Sequence, residues 1–190
     1  MALAPVRTVA PASTPVSLVE AKAHLRVDHT DDDTLITGLI AAATDHLDGY
    51  TGILGRAIIT QTWRQDFYRF TPQMRLPLHP VASVTSVTYY DGDNAQQTLS
   101  TAIYELLTDG AGAYIARKAD QAWPGTKNRE AAISVTFVAG EASAPAAIKT
   151  AILLAVGHLY ENREAVSEGN FAELPMAVSA LIAPYRRVGV

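Results

Sequence analysis

Three observations predict an α+β fold, mainly a helical bundle of about four helices with an antiparallel β-sheet inserted in its middle. Apolar residues recur at helical spacing in the first and last parts of the chain. Between them, from about Ile58, the period shortens to two and Val, Thr and Tyr become frequent. The early and late helical segments are all amphipathic, so the simplest arrangement packs them together and leaves the sheet as a long insertion. The chain has 190 residues, 48% hydrophobic and 18% charged, which is enough to bury a real core and too apolar for a disordered chain.

Residues 1–16 are small and proline-rich and read as an extended, mobile arm, with order beginning at Ser17. Ser17 and Glu20 have the spacing of a capping box, and Leu18, Ala21 and Leu25 then share one face of a short helix ending near Val27. A second helix starts within Asp31, Asp32 and Asp33. Its apolar stripe is Leu35, Leu39, Ala43 and Leu47, widened by Ile36 and Ile40, and Gly49 and Gly52 stop it. Ile59, Gln61, Trp63, Gln65 and Phe67 alternate with polar residues in a first strand. Val81 to Tyr90 is a second, followed by a turn at Asp91-Gly92. Tyr104 to Leu107 and Tyr114 to Ala116 form a hairpin around Asp109-Gly110, and Ile133, Val135 and Phe137 mark a last strand. These strands read as one small antiparallel sheet.

Pro145 then opens a helix with Ile148, Ile152, Ala155, Val156 and Leu159 on one face. Ala151, Leu153 and Leu154 leave little of it polar, so it is either the central helix or a contact with another subunit. A shorter helix runs from Pro175, with Val178, Leu181 and Ile182 inward, and Pro184 ends it. The organisation is therefore an arm (1–16), one domain (17–183) built of helices 17–52 and 145–183 around a β-rich insertion 58–139, and a tail (184–190).

Composition removes several functions. The chain has no Cys, which excludes disulfides, a thiol nucleophile and thiolate metal sites. A net charge of −4 argues against a generally basic nucleic-acid-binding surface. The longest apolar run, residues 151–160, is too short to span a membrane, and residues 1–15 lack the apolar stretch of a secretory signal. The expectation is a soluble protein made in the cytoplasm.

The polar clusters are weak as sites. His24, Asp28, His29, Asp31, Asp32 and Asp33 are chemically suited to a divalent metal, but match no ligand spacing, and capping of the second helix is the simpler reading. His158, Glu161 and Glu164 lack the second His of a zinc-protease helix, and His158 reads as packing beside the core, with Glu161, Arg163 and Glu164 an ionic face. Gly125-Thr126-Lys127 lacks the order of a phosphate loop and reads as part of a Trp-Pro-Gly turn. Trp63, Phe67, Tyr68, Tyr89 and Tyr90 have no interleaved basic residues and read as sheet packing rather than base stacking. The ending Tyr185, Arg186, Arg187 is either a frayed terminus or a docking segment for a partner. No catalytic residue, cofactor or metal site is expected.

The pattern of Leu18 to Asp28 (LVEAKAHLRVD), then Asp32 to Ile36, Leu39 to Ala43 and Tyr50-Thr51-Gly52, resembles the head–tail connector (adaptor) proteins of long-tailed phages, with related genes in prophages and gene transfer agents. Ala151 to Glu164 (AILLAVGHLYENRE) resembles the other characteristic helix of that family, as does the ending with Leu174-Pro175, Leu181 and Pro184-Tyr185-Arg186. The insertion departs from it, since compact members have a much shorter link there. The resemblance implies a non-enzymatic subunit of a ring, expected to be twelvefold, in the neck of the virion beneath the portal protein. Such a ring extends the DNA channel and receives a stopper or tail-terminator protein, with DNA only passing through and no membrane involved. Tyr185, Arg186, Arg187 and Val188 are then the expected partner-binding residues. Two other functions compete: a small metal-dependent hydrolase using the His24–Asp33 cluster, and a DNA-packaging accessory protein.

Overall fold

The computed structural model describes residues 3–162 and 176–187. The chain divides into two compact units: the N-terminal stretch through Ala12 with Thr60–Glu141, and Ser13–Ile59 with the chain from Ala142 onward. The fold is α+β, but it is not mainly a helical bundle. Among the described residues, eight strands hold as many residues as four α-helices.

The first unit carries every strand: β1 (Val6–Val9), β2 (Gln61–Phe67), β3 (Gln73–Arg75), β4 (Val81–Tyr90), β5 (Gln96–Thr98), β6 (Tyr104–Asp109), β7 (Gly112–Arg117) and β8 (Ile133–Ala139). They form two antiparallel sheets rather than the one expected, in the orders β1-β2-β8-β4-β5 and β3-β7-β6. Alternation reports that a segment is a strand, not which sheet it joins. Two of the unexpected strands, Gln-Met-Arg and Gln-Gln-Thr, are three residues long and have little period to read. Along β8 every second residue is buried, beginning with Ile133, because one face of the sheet is turned to the core. Trp63 lies opposite Phe137, and Phe67 opposite Ile133, on that face. The Asp91-Gly92 turn is organised by the Asp91 carboxylate, which accepts the amides of Asp93 (3.1 Å) and Ala95 (2.9 Å). In the smaller sheet Arg75 reaches across from β3 to Asp109 of β6 through two nitrogens, at 2.8 and 2.7 Å. This fork holds the Asp109 carboxyl down to about 2.

The expected mobile arm is an ordered edge strand. β1 pairs with β2, Val6 opposite Arg64 and Val9 opposite Thr62, with an irregularity between Arg7 and Val9. Its four side chains are all exposed, so no apolar pattern announced it.

The second unit contains α1 (Leu18–Leu25), α2 (Asp33–Leu47), α3 (Ala146–Glu161) and α4 (Met176–Ile182). At α1 the capping box forms as the spacing requires: the Glu20 amide donates to Ser17 Oγ (3.2 Å) and the Ser17 amide to Glu20 Oε2 (2.8 Å). Those bonds, with Lys149 Nζ at 3.0 Å, hold the Glu20 carboxyl down to about 2. At α2 the expected carboxylate cap is absent. Asp32 occupies the cap position, but its side chain bonds no helix amide; it accepts the hydroxyl of Tyr160 instead. The apolar stripe of α2 is also rotated from the expected one. Ile36, Ile40, Ala43 and Leu47 are buried, Leu39 is half-buried and Leu35 is exposed.

α3 packs against α1, α2 and α4, which makes it the central helix of its unit. Ile148, Ala151, Ile152, Ala155 and Val156 are buried within it, and Leu153 and Leu154 are half-buried against the same core. Each fully buried aliphatic side chain of this kind stabilises a fold by roughly 1.5–3 kcal/mol. In α4, Val178 and Ile182 are buried. The expected start of that helix at Pro175 lies outside the described residues.

Candidate docking surface around the C-terminal segment

The surface is built from the turn that follows α2. Asp48 closes that helix, and its buried carboxylate accepts the Ile58 amide at 2.7 Å. The Gly49 amide donates to the Arg56 carbonyl (2.8 Å) and the Leu54 amide to the Leu47 carbonyl (3.3 Å). Gly52 lies so close to the end of α2 that a Cβ there would meet the Asp48 and Leu47 carbonyl oxygens at 2.3 and 2.5 Å. Only glycine fits. Leu54 and Ile58 are fully buried, which pins residues 48–58 as a rigid turn.

The C-terminal segment lies on that turn. Pro184 ends α4 as expected, because proline supplies no amide and disfavours helix at the residue before it. The chain does not then leave as a tail. Ala183–Tyr185 makes one 3-10 turn, and Tyr185 packs half-buried against the helical core. The Arg56 guanidinium stands over the Tyr185 ring, 5.5 Å from its centre. The Arg187 amide donates to the Leu54 carbonyl at 2.9 Å, and the space opposite Gly55, at φ +60°, is filled by Arg187 Cβ. Arg186 is exposed. The predicted partner-binding residues Tyr185, Arg186 and Arg187 are thus together, but two of the three are held by their own unit. Val188 lies outside the described residues. Tyr185 does not leave the helix as part of a tail, because its ring supplies enough apolar area to pack against the helical core. The same turn exposes Tyr50 (47%) and Ile53 (37%), large side chains that apolar periodicity overlooks because they lie between elements.

The other polar clusters are engaged in local bonds or lie exposed. Lys22 Nζ bonds the His29 carbonyl and Asp33 Oδ1, each at 2.6 Å, and Asp32 is occupied by Tyr160, while His24, Asp28, His29 and Asp31 are exposed. Among the described residues, no group of three or more His, Asp or Glu is placed to hold a metal ion. His158 Nδ1 is 3.4 Å from the Asn162 side-chain nitrogen and Glu161 is exposed; Arg163 and Glu164 lie outside the described residues. Lys127, in the expected Trp-Pro-Gly connection between β7 and β8, is tied to β4 by its amide, which donates to the Tyr90 carbonyl at 2.9 Å. Phe70 stacks on Trp123 with centroids 4.6 Å apart and planes 5° apart, and Arg129 covers the Tyr90 ring at 3.8 Å. Trp63 and Phe67 are buried. These rings serve packing rather than an open stacking platform.

Among the described residues no helix is long and apolar enough to cross a membrane. Residues 15–109 match the family model of phage gp6-like head-tail connector proteins. This chain belongs to that family, whose members are structural connectors. The match takes in α1, α2 and strands β2 to β6, and α3 and α4 lie beyond it. No curated protein sequence matches the chain. Solved structures match its whole length. A chain in the virion of a native gene transfer agent (GTA) particle is 24% identical, with a TM-score of 0.78, 99% of this chain and 97% of that one being covered. A chain in the neck of an empty GTA particle computed with C6 symmetry has the same identity and coverage and a TM-score of 0.77. For a chain in the neck of a native GTA particle computed with C12 symmetry, also 24% identical over 99% and 97% of the two chains, the score is 0.68. The similarity includes both units, so the β-rich insertion is part of a fold that those particle chains share.

Proposed function

We propose that this protein is a ring-forming adaptor in the neck of a tailed phage or gene transfer agent particle, joining head to tail. The observation that carries the reading is the connector-family match over residues 15–109. Fold similarity over 99% of the chain to a GTA neck chain computed with C12 symmetry supports a twelvefold ring. Such a contact is heterologous, one face of each copy meeting a different face of the next, and it closes when its rotation matches the ring. On this reading the portal protein lies on the head side and a stopper or tail-terminator protein on the tail side, and the two units act as one adaptor domain. DNA passes through without being held. A net charge of −4 per copy makes the ring acidic overall and suits passage rather than capture.

The partner contact in this proposal is the C-terminal segment, Tyr185 to Val188. Exposed Arg186 is its first point of engagement, and the turn at Arg56 presents Tyr185 and Arg187 beside it. Each single contact is weak, and a ring multiplies it. The chain is therefore expected to bind heads far more tightly than its isolated subunit contacts would suggest.

The test uses heads from a strain lacking this gene. Purified protein added to them should bind saturably and allow tails to join, and Arg186→Glu should weaken binding about tenfold or more through multivalent loss. Heads that take up no protein would contradict the connector reading. Full binding by the Arg186→Glu protein would remove the terminal segment from it.

A further inference from the structure

We propose that the 48–58 turn and the C-terminal segment docked on it form one receptor for an acidic protein segment with an apolar anchor. The inference rests on the connector reading above and names the chemistry of its head-side partner. The chain carries a net charge of −4, yet this surface is cationic. Neither Gly49 to Ile58 nor Ala183 to Arg187 contains an Asp or Glu, whereas Arg56, Arg186 and Arg187 all belong to them. The docked segment brings these arginines together, with Arg56 over the Tyr185 ring and Arg187 against Leu54 and Gly55. Arg186 is exposed between Tyr185 and Arg187. The carboxylate at the head of the turn, Asp48, is buried and accepts the Ile58 amide; exposed Asp45 lies on α2, before the turn begins. Lys22 and Lys149 of the same unit are matched instead by Asp33 and Glu20.

The turn also holds two apolar side chains outward. It sorts its residues: Leu54, Ala57 and Ile58 are buried, whereas Tyr50 is 47% exposed and Ile53 37%. The backbone that carries them is fixed. Gly52 admits no Cβ, and the Ile53 amide donates to the His46 carbonyl at 3.0 Å. Covering side chains on a backbone already ordered costs less than ordering a loop at the moment of binding. Tyrosine and arginine are also the residue types that carry most binding energy at protein interfaces. The arginine fork matches a carboxylate through two parallel bonds. Three arginines attract DNA phosphates as well, but phosphate contacts make no use of Tyr50 and Ile53 beside them. The combination fits a protein segment in which Asp or Glu stands next to an aliphatic or aromatic residue. Its source is the head-side protein against which the C-terminal segment is placed above.

The test measures binding of the purified protein to heads from a strain lacking this gene, over a series of salt concentrations. Native binding should weaken as salt rises, and Arg186→Gln should bind less tightly at low salt and respond less to salt. Tyr50→Ser with Ile53→Ser should bind about tenfold or more weakly at every salt concentration. Its denaturant midpoint should stay at the native value, because both side chains are exposed. Tyr50→Phe keeps the ring and should bind like the native protein. Binding that ignores both salt and Arg186→Gln overturns the acidic partner, and native binding by the Tyr50/Ile53 double variant overturns the apolar contact. In either case heads are still occupied, so the connector reading stands. Variants that bind heads fully but lose retention on immobilised DNA would make DNA the occupant and overturn the proposal. Self-association of the native protein that the double variant abolishes would put a second copy there and overturn it likewise. Native protein that binds no heads at any salt concentration sinks the connector reading itself, and the receptor with it.

Discussion

Two segments near the ends of this chain, residues 6–9 and 183–187, are both docked, but by different physics. The N-terminal strand β1 lies on an edge through backbone bonds, with every one of its four side chains exposed. The C-terminal segment lies on the 48–58 turn through a half-buried ring, a guanidinium over that ring and one backbone bond. A backbone ladder depends on register rather than on residue identity, whereas a packed ring depends on the pocket it fills. One end should therefore tolerate side-chain substitution, and the other should be sensitive to it.

Substitutions can break that comparison. The largest effect should come where the C-terminal helix meets the core. Ile182 is 2% exposed, and Ile182→Ala should cost about 2–5 kcal/mol, seen as a lower denaturant midpoint. Tyr185→Ala should cost about 1–2 kcal/mol, from half an aromatic side chain of buried area and the lost contact with Arg56. If it costs nothing, the terminal segment is free and the contrast with β1 collapses.

A third substitution sharpens the comparison at the junction between arm and helix. Ser17→Ala removes one half of the capping box and should cost about 1 kcal/mol. Because the folded Glu20 carboxyl titrates near 2 against an ordinary value of 4.5, its contribution is complete above pH 4.5 and fades as pH falls towards 2. The difference between the native protein and Glu20→Gln, followed by denaturation across that range, should shrink in step. A constant difference would show that Glu20 stays protonated or unpaired in the fold. The smallest effect belongs to β1. Val6→Ser and Val9→Ser should each change stability by less than about 0.5 kcal/mol, since neither side chain is buried.

These residues also show what was legible in the amino-acid order. Ser17 and Glu20 announced a capping box because both partners are local, three residues apart, and nothing distant competes for them. Asp32 announced a cap and was claimed instead by Tyr160, 128 residues away, which no local rule registers. β4 and β8 were readable from β-branched residues and alternation, whereas β1 was not, since its partner β2 is more than fifty residues distant and its side chains carry no pattern. The central role of α3 followed from its apolar surface, which left the helix needing neighbours on several sides. The candidate site was half visible. Tyr185, Arg186 and Arg187 were recognisable as a basic-aromatic group, but Arg56, Gly52 and Asp48 matter through a turn whose geometry appears only when the chain is folded.

That this protein joins heads to tails is tested by electron microscopy of particles made after deletion of its gene. Separate heads and tails are expected, with joining restored when the intact gene is returned. Joined, infectious or transducing particles in its absence would contradict it.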